Sequence, residues 1–154
     1  MRLAVFTNQF PNRVSTFFAR DMRGLIDAGI EIDVFPIYPL DSSLWGCVPD
    51  LLNENILPRN RIHYLSLSRS VRAGLWSSKK FAQFFGDSKP IVGSAVRFGI
   101  EPLAKTVYAS LVARTWLQAY PNIYDHILAY WGNYAGTCAY FFHRRKKTHP
   151  GKAE

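Results

Sequence analysis

At 154 residues, with 48% apolar and 19% charged side chains, the chain suits one domain with a real core, and its composition is globular and not that of a disordered chain. Nineteen Lys and Arg against eleven Asp and Glu give a net charge of +8, but five of those cations and one acid lie in the terminal RRKKTHPGKAE, leaving the body only mildly basic. So diffuse a charge argues against nucleic acid, which needs a continuous basic stripe, and fits attraction to anionic lipid or a phosphorylated substrate.

Arg2 to Thr7 (RLAVFT) reads as a short buried strand; its apolar run LAVF is too short for a secretory signal. From Ser15 to Ala28 the period changes. Phe18, Met22, Leu25 and Ile26 fall at i, i+4, i+7 and i+8, one face of a helix. Ser15 is placed to cap it and Gly29 to end it. Ile30 to Ile37 (IEIDVFPI) alternates as a second strand, which Pro36 ends or places at an edge. A β-α-β unit this short predicts parallel strands and a right-handed crossover.

Tyr38 to Pro58 is loop-like, with a short helix over Asp50 to Glu54. Ile62 to Leu67 (IHYLSL) reads as a third strand, and Val71 to Phe85 as an aromatic and basic helix with either a core-facing or a membrane-surface role. In the helix Glu101 to Ala119, the positions Ile100, Leu103, Ala104, Val107, Tyr108, Leu111 and Val112 form the expected apolar stripe, with Pro102 in the first turn. Asp125 to Trp131 (DHILAYW) is a fourth strand, Gly132-Asn133 a turn, and Tyr134 to Arg145 the start of a final helix. The longest apolar run, Tyr134 to Phe142, is about half of the ~20 residues of a membrane span.

This order predicts an α/β fold, a Rossmann-like three-layer sandwich with a mostly parallel sheet of order 3-2-1-4. Ligands in such sheets bind beyond the carboxyl ends of the strands, where the order reverses. Here that crevice lies between the segments leaving strands 1 and 4. Asn8, Gln9, Ser15, Thr16 and Asn133 offer amides and hydroxyls to sugar hydroxyls; Phe17, Tyr130 and Trp131 offer rings to the apolar face of a pyranose. Each also has a plainer role open to it: Ser15 as an N-cap, Phe17 as core, Trp131 as strand-end packing. The case for an acceptor-binding site is their convergence.

The stretch MRLAVFTNQFPNRVSTFFARDMRGLIDAGIEIDVFPIYP resembles the first β-α-β unit of glycosyltransferase family 4, retaining enzymes of GT-B fold that take sugar from a nucleotide-sugar donor. The matching marks are TNQFP (Thr7 to Pro11), STF (Ser15 to Phe17), Leu25 with Gly29, and Glu31, Asp33 and Val34. A second block, Asp125 to Arg144, is similar to the strand-turn-helix late in that family's N-terminal domain. Departures are Ser15, where many relatives carry Glu, and Tyr130, where the family usually carries a His; His126 is expected to be structural. The family's donor site lies in a second domain, and KKTHPGKAE after Arg145 cannot form one. The resemblance therefore implies the acceptor half alone: residues 1–145 as a Rossmann-like N-terminal glycosyltransferase domain, 146–154 as a disordered basic tail, and a truncated gene product.

Such a domain is expected to bind a sugar or glycolipid acceptor, to hold no catalytic residue and no cofactor of its own, and to be inactive alone. A nucleotide-sugar donor is implied only for the full-length family. A separate donor domain, a homodimer through the cleft face, or peripheral contact with the inner face of a membrane are the partners to expect. The second functional class is a non-catalytic interaction module derived from such a domain. No GxGxxG comes after the first strand, against a dinucleotide-dependent oxidoreductase, and no GxSxG marks a hydrolase. His63, His126, His143 and His149 are scattered, against a metal site. Cys47 and Cys138 lack metal or redox spacing and read as reduced thiols of a cytosolic protein.

Overall fold

Three apolar runs pair side by side as an all-parallel open sheet of order β2-β1-β3, with β1 at Arg2–Thr7, β2 at Glu31–Pro36 and β3 at His126–Ala129. In the register, Leu3 lies opposite Ile32 and His126, and Phe6 opposite Phe35 and Ala129. The computed structural model describes residues 1–13, 16–47, 57–65, 78–120 and 123–148. The three strands are the first, second and fourth expected. Of the expected third strand, Ile62 makes one parallel bridge to Val34, and the His63 N–H donates to the Val34 carbonyl at 2.8 Å. Residues 63–65 carry no strand, and 66–67 lie outside the described residues.

Both faces of β1 are buried, which is why LAVF reads as a continuous apolar run; β3 is half-buried, and β2 alternates in sequence because Glu31 is exposed and Asp33 is a buried carboxylate. One face of the sheet takes Leu3, Val5, Ile32 and Val34 against Phe18 and Met22 of helix α1, Thr16–Asp27. The helical period therefore points where it was expected to. Gly29, at φ 79°, ends α1: its N–H donates to Ile26 and the Ile30 N–H to Leu25, the paired bonds of a Schellman cap. The other face takes Ala4, Phe6 and Phe35 against α3, Ile100–Ala119, and α4, Asn133–Thr148. Helix α2 spans Ser78–Val96; it includes residues 78–85 of the expected helix and runs eleven residues further. The expected residues 71–77 of that helix, and the short helix over Asp50 to Glu54, lie outside the described residues. Among the described residues no helix is long and apolar enough to cross a membrane.

Helix α3 corrects one expectation. Its buried positions are Thr106, Ala109, Ser110, Val112, Ala113, Arg114, Thr115 and Trp116. Ile100, Val107 and Leu111, members of the expected stripe, are exposed. The cause is steric. Phe6, Phe35, Trp116 and Phe142 fill the layer beneath the sheet, with Phe6–Phe142 ring centres 4.7 Å apart and Phe35–Trp116 5.2 Å apart. Against α4 there is then room only for the small side chains Ala109 and Ala113, which meet Ala135 and Cys138; the Cys138 thiol donates to the Ala109 carbonyl at 3.4 Å. Reading by side-chain size weights the large residues, whereas close helix packing selects the small ones.

Candidate functional site

The chain leaves β1 and β3 at the same end of the sheet, and the two exits touch. Asn8, the first residue after β1, accepts the Ala135 N–H on its side-chain Oδ1 at 3.3 Å. Its carbonyl accepts the Tyr38 N–H at 2.9 Å. One asparagine thus joins the segments that leave all three strands and satisfies one of the first-turn N–H groups of α4, which the helix itself cannot pair. Asn8→Ala is expected to cost about 1 kcal/mol of unfolding free energy in urea titration, the usual scale for losing a side-chain cap.

The segment after Asn8 is held from several sides. The Gln9 carbonyl accepts the Thr7 hydroxyl at 3.5 Å and the Asn12 amide at 3.2 Å. Phe10 is buried, with its ring 4.8 Å from Phe18 and 6.2 Å from Trp45, and the Tyr64 hydroxyl donates to its carbonyl at 2.7 Å. Burial pushes the Tyr64 phenol well above its ordinary range, so it stays a donor. The backbone of this segment is therefore built into the core on one side, with Gln9 half-buried at its bend.

Thr16 opens α1 and is exposed; Phe17 beside it is 52% exposed, with the Arg20 guanidinium over its ring at 5.5 Å. At the exit of β3, the Tyr130 N–H donates to the Phe6 carbonyl at 2.8 Å, which extends the sheet by one bond. The side chain of Tyr130 turns toward α1. Its ring meets Phe18 edge-on at 4.9 Å and its hydroxyl donates to Asp21 Oδ2 at 2.8 Å. Burial, then the bond to Asp21, pushes the Tyr130 phenol up to about 12. In return the Tyr130 hydroxyl, together with Arg20, holds the Asp21 carboxyl below its ordinary value. Tyr130 is thus a brace between β3 and α1, with its hydroxyl already engaged.

Trp131 differs. Its backbone is left-handed at φ 74°, with Gly132 next at φ 56°, and its side chain is 56% exposed. Its ring stands edge-on to Tyr130 at 5.5 Å. A left-handed conformation costs a bulky L-residue about 1 kcal/mol, and the chain holds it at a surface position where burial gives little back. Asn133, expected in the turn, is instead the first residue of α4. Ser15 lies outside the described residues.

The structure therefore brings Asn8, Gln9, Thr16, Phe17, Tyr130, Trp131 and the start of α4 to one end of the sheet, with Phe17 and Trp131 as its exposed rings. It assigns Asn8 and Tyr130 structural bonds as well. Sequence reasoning missed Asp21 and Tyr38, the partners of Tyr130 and Asn8. Asp21 lies three residues past Phe18, one helical turn along, and that spacing was the available signal. His126 is exposed at the start of β3, at the far end of the sheet from these residues. Among the described residues no group of three or more His, Cys, Asp or Glu side chains is placed to hold a metal ion. No family model, no curated protein and no solved structure matches the chain.

Proposed function

We propose that this chain is the acceptor-binding domain of a retaining, nucleotide-sugar-dependent glycosyltransferase, similar to the N-terminal half of a family 4 GT-B enzyme. The parallel sheet with helices on both faces supports that reading, as does the Ile62 bridge, which would continue a Rossmann-like sheet in the order 3-2-1-4. The observation that carries this reading is the bond from Ala135 N–H to Asn8 Oδ1, which joins the exits of β1 and β3 at the end of the sheet where an acceptor cleft would lie. The Phe17 and Trp131 rings at its rim suit the apolar face of a pyranose. Transfer itself requires a group of opposite charge to stabilise the leaving diphosphate, and a second domain, joined in cis or supplied in trans, provides it.

Saturation-transfer NMR with a panel of methyl pyranosides tests the acceptor site. At least one glycoside receives saturation from the wild-type chain. Trp131→Gly relieves the left-handed strain but adds freedom to the unfolded chain, two effects of about 1 kcal/mol each that roughly cancel, so the variant stays folded yet loses the glycoside signal. No transfer to any pyranoside, or full binding by a folded Trp131→Gly chain, overturns the reading.

A further inference from the structure

Among the described residues, the turn between α2 and α3 carries the two most exposed large apolar side chains. Phe98 is 78% and Ile100 85% exposed, with Val96 beside them. The apolar surface continues along α3 through Val107 and Leu111, seven and eleven residues beyond Ile100 and so on one helical face. Scattered exposed apolar residues need no explanation, but a stripe ending in two projecting side chains does.

The backbone fixes this tip in place. Three successive bonds, from the N–H groups of Arg97, Phe98 and Gly99 to the carbonyls of Ser94, Ala95 and Val96, tighten the end of α2. The Leu103 N–H then donates to the Gly99 carbonyl and starts α3. Gly99 stands at φ 106°, ψ −179°, a conformation open essentially to glycine alone.

The charge around the tip selects what can cover it. Lys89, Gly93 and Arg97 succeed one another at four-residue spacing on α2 and its end, and both cations are exposed. Among the described residues neither makes an ion pair. The acid at the tip, Glu101, is already bound by Lys105. A second copy of the chain would set cation against cation, whereas an anionic bilayer offers opposite charge at its surface and an apolar layer just below it.

We propose that the α2–α3 turn is a membrane-docking tip that places Phe98 and Ile100 in the interface of an anionic lipid surface, with Lys89 and Arg97 on its headgroups. This does not rest on the acceptor reading, since the tip shares no residue with the β1 and β3 exits.

Flotation of the full chain with vesicles decides it. Vesicles of phosphatidylcholine and phosphatidylglycerol in equal parts are expected to bind the chain, with at least about ten-fold weaker binding to pure phosphatidylcholine and a loss of binding as salt rises. Phe98→Ser with Ile100→Ser is expected to weaken binding to the mixed vesicles about ten-fold or more. Lys89→Glu with Arg97→Glu is expected to abolish the preference for anionic vesicles. All four positions are exposed, so both variants keep the near-ultraviolet dichroism of the wild type. The proposal is overturned if the wild-type chain ignores both vesicles, if neither variant changes binding, or if the chain dimerises and the serine variant is monomeric with unaltered vesicle binding; the last outcome would make the tip a contact between copies.

Discussion

Phe35→Ala is expected to lower the unfolding free energy by about 3–5 kcal/mol, the scale of removing a fully buried aromatic ring. No other ring has so many aromatic neighbours among the described residues. Its centre lies 5.1 Å from Phe6, 5.2 Å from Trp116, 5.4 Å from Tyr120, 5.8 Å from Tyr124, 5.9 Å from Phe142 and 4.8 Å from the His63 ring. Those neighbours come from β1, α3, α4 and the segments after α3 and the Ile62 bridge. Rings of this size cannot collapse into the space without leaving their rotamers, so most of the cavity persists. For a domain with roughly 5–15 kcal/mol of total stability the loss is severe, and the melting temperature should fall by roughly 10 °C or more. Urea titration of wild type, Phe35→Leu and Phe35→Ala checks this, with the leucine variant costing about 1–2 kcal/mol. A cost below about 1 kcal/mol for alanine would mean that the layer between sheet and helices is not packed as described.

Asp33→Asn is expected to cost about 2 kcal/mol at neutral pH, and to cost progressively less as the solution is acidified. Asp33 is an ionised group in the middle of β2, with its side chain 3% exposed. Arg2 reaches it at 3.1 Å, His63 Nε2 at 2.9 Å and Arg61 at 3.6 Å. Neutralising one partner of such a cluster leaves the others facing a low-dielectric interior, although Arg2 and Arg61 are each about a third exposed and recover part of their hydration. Burial alone would raise the Asp33 carboxyl, but the His63 hydrogen bond and charge, with the arginines, outweigh it and hold the carboxyl below its ordinary value. The folded chain therefore keeps Asp33 ionised when the unfolded chain already binds a proton there. Its contribution is full above about pH 4 and is lost as pH falls further, through the folded value. The urea midpoints of wild type and Asp33→Asn should converge over that acid range and stay apart at pH 6–8. A constant gap down to pH 2 would show that the asparagine variant fails for a steric reason instead.

The N-terminal unit was legible because its signals are local. Phe18, Met22, Leu25 and Ile26 mark a helical face within nine residues, and Gly29 ends the helix, its N–H bonded to Ile26 and that of Ile30 to Leu25. The strands read as buried because alternate residues of β1 serve two cores, Leu3 and Val5 on one side, Ala4 and Phe6 on the other. The Asp33 cluster was illegible for the converse reason. Arg2, Asp33, Arg61, His63 and Asp125, which accepts the Arg2 N–H at 2.7 Å, are separated by up to 123 residues and form no motif. Of the candidate site, the meeting of two segments could be foreseen from strand order; that Asn8 spends its Oδ1 on α4, and Tyr130 its hydroxyl on Asp21, could not.

By itself, then, the order of residues determined the first, second and fourth expected strands, the helices after the first strand and before and after the last, and that the strands run parallel. It did not determine that Ile62–Leu67 contributes one bridge only or that α2 runs on to Val96. Period and capping are set within a few residues of each position. Only tertiary structure decided which face of α3 is buried, since that depends on the volume left by Phe6, Phe35 and Trp116 from three different elements. Tertiary structure also decided which polar groups are committed to bonds and which side chains stand exposed, Trp131 and Phe98 among the latter, because burial and partnership belong to the surroundings a residue meets after folding.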